Sequence, residues 1–282
     1  MLSPWLLGFV IFTAAPLIAS LVLSFTNYDV YSPVEWVGLE NFAKAFQDPF
    51  FWNAWKVTVI YGVVGTFYSL TIALAAALLI YHARHLSGLW RTLLFFPTLL
   101  AGAAEGLIMG GVWDPQAGLA NVLLSMVGID GPRWLDDPSW ALSAVILMRY
   151  WTIGTAMLLF LGARAAVDVE LYEAAKIDGA SPARQLWSIT LPMISPILLL
   201  NAILGVIASF QAFAQVYIMT KGGPSNATDL LGIFIYRKSF QNLQLGLGSA
   251  VSWTLFGFLL ILTLTMVLAS RRWVHYETGD KY

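Results

Sequence analysis

The sequence predicts an all-α polytopic membrane protein with six transmembrane helices. Three observations predict it. Hydrophobic residues fill 59% of the 282 positions. Charged residues fill only 11%, against roughly 25% in a soluble domain. Six apolar runs reach the about 20 residues that a helix needs to cross a bilayer. Lipid offers the backbone no hydrogen-bond partners, so each run must be helical. The net charge of −1 leaves no nucleic-acid footprint, and the absence of cysteine removes disulfides and thiolate metal sites.

In chain order the spans are residues 4–25, 55–81, 89–112, 140–162, 192–214 and 247–269, within one transmembrane domain covering 1–282. The first run has no basic segment ahead of it and no A-x-A pattern after it. It reads as a span and not as a cleaved signal, and a cytoplasmic leader before it is left open. Pro16, Pro97, Pro196 and Gly205 interrupt the runs and are expected where protein surrounds them. "VEWVGLENFAKAFQDPFFWNAW" reads as short amphipathic helices at the interface, where aromatics such as Trp36, Trp52 and Trp55 collect. "GIDGPRWLDDPSW" reads as a turn-rich loop with the same interfacial tryptophans.

Orientation follows from the basic residues in short loops. Arg84, Arg91, Arg164, Lys176, Arg184, Arg271, Arg272 and Lys281 fall on one side, several of them close to span ends. Lys44, Lys56, Arg133, Lys221, Arg237 and Lys238 fall on the other, among more acids. This bias puts both termini and the segment 168–191 in the cytoplasm.

That segment, "ELYEAAKIDGASPARQLWSITLP" after Asp168-Val169, is polar between two greasy spans. Asp168 is placed to N-cap a helix from Val169. Glu170 and Glu173 suit its early turns, and Glu173 and Lys176 can pair. Leu171, Ala174, Ala175 and Asp178 fall along one side. Gly179 ends the helix as a left-handed cap, and Ser181-Pro182 opens a second one carrying Leu186, Trp187 and Ile189. Two readings stand: an ordinary interfacial loop, or a docking knob whose alanines admit a close partner.

Glu173-Ala174-Ala175, Asp178-Gly179-Ala180, Leu186, Ile189 and Leu191-Pro192 resemble the EAA motif of binding-protein-dependent ABC importer permeases. Leu186 stands where many members have Phe. "VGLENFAKAFQDPFFWNA", "WDPQAGLANVLL" and "VYIMTKGGPSNATDLLGIFIYRKSF" are similar to further stretches of the carbohydrate and glycerol-phosphate branch, the maltose-permease-like first subunit. The resemblance implies the type I importer architecture in a bacterial inner membrane. It implies a second homologous permease, two ATPase subunits, an extracytoplasmic solute-binding protein, and a sugar, polyol or phosphosugar as solute. Leu171, Glu173, Ala174, Ala175, Asp178, Gly179, Ala180 and Leu186 would then meet the ATPase. Glu173 would contact it, the alanines would permit close packing, and Asp178 would lock the turn. The chain has no Gly-x-x-x-x-Gly-Lys-Ser/Thr, so ATP and magnesium are expected on separate subunits. No catalytic constellation appears, and the chain reads as a non-enzyme.

Within the spans, Glu105 and Arg149 stand at similar depths and read either as an ion pair fixing the packing or as part of the solute path. Gly102, Gly106 and Gly110 form a small-residue strip for close helix packing. "SFQAFAQVY" carries Ser209, Gln211, Phe213, Gln215 and Tyr217. These serve inter-helix hydrogen bonds, or they line a path in which amides and rings suit a sugar. His82 and His85 lack a third ligand and read as interfacial, and Asn226-Ala227-Thr228 carries no functional reading. The rival function is an ion-gradient-driven secondary transporter. An intramembrane enzyme and a purely structural subunit are weaker rivals.

Overall fold

A computed structural model describes residues 3–83, 87–271 and 274. Among the described residues the regular structure is all helical, apart from one isolated antiparallel bridge between Thr26 and Trp36. Fourteen helices are numbered here in chain order: α1 (Ser3–Ser24), α2 (Glu40–Gln47), α3 (Pro49–His82), α4 (Ser87–Leu99), α5 (Gly102–Val112), α6 (Leu119–Met126), α7 (Pro138–Thr152), α8 (Gly154–Ala166), α9 (Val169–Ile177), α10 (Pro182–Met193), α11 (Ser195–Phe210), α12 (Ala214–Thr220), α13 (Leu231–Tyr236) and α14 (Leu245–Ser270). The anticipated residues Arg84, His85, Arg272 and Lys281 lie outside the described residues.

Three of the six anticipated spans are continuous: α1, α3 and α14. The other three are bent pairs. The pair α4–α5 turns by 106°, α7–α8 by 50° and α10–α11 by 71°. The first of these bends follows Pro97, inside a 3₁₀ turn over Phe96–Leu99, because proline cannot donate to the preceding turn. The fifth span is also shorter than anticipated. It ends at Phe210 and resumes as α12 after a break at residues 211–213. Pro16 lies exposed on α1 within this chain alone, and a π turn over Val10–Ala14 precedes it.

The long helix α3 is the spine. The sequence suggested a start at Trp55, but the chain is helical from Pro49, capped by the Asp48 carboxylate accepting from the Phe50 N–H at 2.9 Å. Its 34 residues span about 51 Å. Three apolar clusters line it. Phe51 and Ala54 meet Phe210, Phe234 and Val251 at one end. Val57 and Tyr61 meet Met109, Met148 and Val216. Ala73, Ala77 and Ile80 meet Met157, Phe160 and Ile194 at the other end. Small residues let neighbours close in. A Cβ on Gly62 would sit 2.8 Å from a ring carbon of Phe210, and one on Gly154 only 2.6 Å from the Leu94 carbonyl oxygen.

The loop ahead of the spine folds as one short helix, α2, and not as several. The buried Asn41 side chain donates to the carbonyls of Ser24 and Thr26 at 3.0 and 2.7 Å and so finishes the end of α1. Trp36 and Trp52 stay exposed, as expected of interfacial aromatics. Trp134 does not. It donates to Asn121 at 2.7 Å and packs edge-on against Trp113.

Candidate functional site

The segment 168–191 folds as helix, stop, helix. Asp168 stands at the N-cap of α9 without a side-chain cap bond. Gly179 adopts φ +73°. Its N–H donates to the Lys176 carbonyl at 3.0 Å, and the Ala180 N–H reaches back to the Ala175 carbonyl at 2.8 Å. These two bonds form a Schellman motif, which a left-handed residue at this position makes possible. Ser181 then caps the next helix, its hydroxyl accepting from the Arg184 N–H at 3.3 Å. The Gln185 amide donates to the Ala180 carbonyl at 2.9 Å across the stop. That amide, and not Asp178, makes the side-chain bond across the turn, and Glu173 and Lys176 form no ion pair. The second helix continues as a π turn over Leu186–Thr190.

Tyr172 is the one buried residue of α9. Leu171, Glu173, Ala174, Asp178 and Gly179 are exposed, Ala180 and Leu186 are half-buried, and Ala175 is half-buried on the anchored side. Ile177 is 87% exposed and Trp187 71% exposed, so an apolar surface flanks the carboxylates.

Deeper in the bundle, the ionisable pair anticipated in the third and fourth spans does not close. Glu105 and Arg149 interact through charge but make no ion pair. Arg149 lies in a 3₁₀ turn over Met148–Thr152, with its guanidinium 5.2 Å from the centroid of the Tyr61 ring. Its stem runs along Gly65, where a Cβ would lie 2.7 Å from Cδ. Tyr61 faces Arg149 and Gln215 together. Glu105 and Tyr61 are buried, while Arg149 and Gln215 are half-buried. The result is a polar cluster drawn from α3, α5, α7 and α12.

The glycine strip of α5 works in two of its three positions. A Cβ on Gly102 would sit 3.2 Å from Gln215 Oε1, and one on Gly106 2.6 Å from the Gln215 carbonyl oxygen. Nothing lies near Gly110; it lines a cavity of about 570 Å³ between α5 and α12. Asp114 also lines this cavity, and the N–H groups of Ala117 and Gln116 hold its carboxyl below the usual range.

The residues expected to share a path on α12 divide between two faces, because positions two apart on a helix point about 200° apart. Gln215 joins the polar cluster. Phe213 and Tyr217 stack at 5.3 Å on the other side, where Tyr236 meets both and Phe240 follows. Gln241 donates to the Tyr217 hydroxyl at 3.1 Å. The sequence reading held Tyr236 and Phe240 only as part of the family-like stretch, with no place on the path, and did not single out Gln241. The i, i+4 spacing of Tyr236 and Phe240 was visible, but their meeting with α12 depends on the loop between. That loop is pinned: Asp229 is fully buried against Arg237 at 2.7 Å, and Lys238 pairs with Asp48 at 2.9 Å. Burial pushes the Asp229 carboxyl up, against the opposing pull of Arg237. Ser209 serves helix packing, sharing a 2.8 Å hydrogen bond with Thr66. Gln211 stands exposed at the helix break. His82 is exposed against the Leu78 carbonyl, and the described residues hold no cluster that could bind a metal.

Comparison with known proteins agrees with this architecture. Residues 50–275 match the model of the binding-protein-dependent transport system inner membrane component family. The probable ABC transporter permease protein YesP of Bacillus subtilis (strain 168) is 35% identical over 99% of this chain and 92% of its own. The lactose transport system permease protein LacF of Rhizobium radiobacter is 34% identical over 82% of this chain and 79% of its own. A chain of a bacterial alginate ABC transporter, solved with an alginate pentasaccharide-bound periplasmic protein, superposes with a TM-score of 0.84. It covers 96% of this chain and 93% of that one at 23% identity, a likeness of fold. With its bent spans, its glycine-stopped polar segment and these relatives, the chain belongs to the family of binding-protein-dependent transport system inner membrane components, the permeases of ABC importers.

Proposed function

We propose that the chain forms half of the translocation path for a saccharide or a related polyol or phosphosugar, and that segment 168–191 couples this path to ATP hydrolysis on other subunits. The observation that carries the coupling reading is the Schellman stop at Gly179. It holds α9 as a short knob with Leu171, Glu173 and Ala174 outward and Tyr172 anchored. A groove on an ATPase subunit would take the exposed Ile177 and Trp187 as apolar contacts and Glu173 as a polar one. Two ATPase subunits, binding ATP and magnesium, would drive this knob and its counterpart on a second permease. A knob for ATPases lies in the cytoplasm, which agrees with the basic bias of Arg91, Arg164, Arg184 and Arg271 and puts both termini there.

The sugar class rests on the lactose relative and on the lining of α12. Aromatic rings offer faces to the CH groups of a sugar, and amides offer hydrogen bonds to its hydroxyls. On one face Phe213 and Tyr217 supply the first, with Gln211 exposed at the helix break; on the other face Gln215 supplies an amide to the polar cluster. Arg149 and Glu105 complete the path at the polar cluster. An extracytoplasmic binding protein would deliver the solute. Family membership leaves an ion-gradient-driven mechanism without support. The test is uptake into proteoliposomes by the complex purified through a tag on this chain. ATP-dependent uptake of a saccharide, together with loss of the co-purifying ATPase in a Glu173→Arg, Gly179→Val double variant, is expected. Uptake driven by an ion gradient without ATP would overturn the proposal.

A further inference from the structure

We infer that Arg164 is the positioning residue that makes the coupling helix and the membrane helices move as one body. The inference rests on the coupling reading above. Tyr172 is the one buried side chain of α9, so it is the side chain that anchors α9 in the bundle. The Arg164 guanidinium carbon lies 3.9 Å from the centroid of the Tyr172 ring and 4.3 Å from that of Tyr81. One flat cation is thus held between two aromatic faces. Tyr81 closes the last turn of the spine α3, and Arg164 closes that of α8. On its far side the Tyr172 hydroxyl shares a 2.9 Å hydrogen bond with Thr190 in the π turn that leads toward α11. Four elements meet in this buried joint. Arg164, Tyr172 and Thr190 are 8%, 7% and 3% exposed.

No carboxylate among the described residues pairs with Arg164, and its Nη1 is buried without a partner. The contact is therefore made by the faces of the guanidinium. Arginine suits this role because its planar cation stacks on rings, whereas a lysine ammonium is a compact point charge. A push on α9 then reaches α3, which carries Tyr61 and Gly65 of the polar cluster, without passing through a flexible loop.

The chain has no cysteine of its own, so two spin labels can be placed at will. Val169→Cys on α9 and Leu79→Cys on α3 are 58% and 73% exposed. The distance between them is measured by pulsed electron paramagnetic resonance in the complex carrying its co-purified ATPase, with and without Mg-ATP. The unaltered joint should give one narrow distance that ATP does not shift. Arg164→Gln should broaden it and make it ATP-dependent, Arg164→Lys should fall between, and Tyr81→Phe, which keeps the ring face, should stay narrow. Should Arg164→Gln fail to insert, Tyr81→Leu removes one face and carries the same expectation. A narrow, ATP-independent distance in Arg164→Gln, or in Tyr81→Leu where that stands in, overturns the inference. Failure of the ATPase to co-purify with the unaltered chain would instead overturn the coupling reading.

Discussion

Substitution of Gly179 separates the geometry of the coupling segment from its mere presence. The residue sits at φ +73° with nothing within 4 Å of the position a Cβ would take. Within this chain a side chain there meets no neighbour, so the penalty to the fold is backbone strain. An L-residue in the left-handed region costs roughly 1–2 kcal/mol, and asparagine visits it more readily than other residues. A β-branched residue is a genuine outlier there, and about 2–3 kcal/mol is a reasonable scale for a strained residue of this kind. At 1.4 kcal/mol per factor of ten, that shifts the equilibrium between the native stop and the opened turn by roughly 30- to 150-fold toward the opened turn. If the turn opens, the bonds from Gly179 to Lys176 and from Ala180 to Ala175 are lost, and α9 is no longer aimed at its partner. The spans are untouched, so Gly179→Val should insert normally yet lose ATP-dependent uptake and ATPase co-purification. Gly179→Ala should retain part of both and Gly179→Asn most. The assay is uptake in proteoliposomes normalised to the amount of inserted chain. Uptake by a well-expressed Gly179→Val equal to that of the unaltered chain would refute the reasoning.

Four further outcomes follow from contacts within the bundle. Gly106→Leu would drive a side chain into the backbone of α12 at Gln215; it should abolish uptake and lower the thermal midpoint of the purified complex. Thr66→Val removes the inter-helix bond to Ser209; a loss of about 0.6–1.7 kcal/mol is expected by analogy with measured membrane-helix bonds, read from unfolding in detergent. Arg237→Ala leaves the fully buried Asp229 without its partner; a loss of about 3–5 kcal/mol is expected, and the double variant with Asp229→Asn should recover part of it. Glu105→Gln should change the apparent affinity for solute if the cluster lines the path, because no ion pair is lost; unchanged uptake kinetics would assign Glu105 to packing.

Much of the fold was legible in the sequence because hydropathy reports lipid exposure directly. The three continuous helices fell where the apolar runs put them, within a few residues except at the start of α3. That start was hidden because Phe50, Phe51 and Trp52 read as interfacial aromatics. Phe51 is in fact fully buried against Phe234, a contact set by a segment 183 positions away. The stop at Gly179 was legible because it is local: left-handed geometry, the Ser181 cap and Pro182 all act within a few residues. The clamp on Tyr172 was not, since Tyr81, Arg164 and Thr190 come from three other elements.

The polar cluster explains why counting depth along spans failed. Similar depths from the outer ends of two spans would bring Glu105 and Arg149 side by side only if both helices ran straight. The third span turns by 106° before Glu105, and the fourth tightens into a 3₁₀ turn at Arg149. A 3₁₀ helix turns 120° per residue and an α-helix 100°, so the five residues of Met148–Thr152 rotate the following side chains by about 100°. Arg149, only the second residue of that turn, is rotated by no more than about 40°; it lies against Tyr61 and Gly65 on α3, and Gln215 of α12 fills the space beside Gly102 and Gly106. The same irregularities provide the means of movement. Helices already broken at residues 100–101, 153 and 211–213 can change angle at those points while keeping their hydrogen-bonded halves intact, whereas the unbroken α3 carries displacement from the Tyr81 joint to Tyr61. Restoring helix continuity at the fourth span should therefore fix the permease in one state. Ile153 ends the 3₁₀ turn, and Gly154 cannot accept a side chain without striking Leu94. The feasible change is Thr152→Ala, which favours α-helix at the break. It should leave assembly intact and slow uptake at saturating solute, and a turnover rate equal to that of the unaltered complex would show that the break is not where the motion occurs.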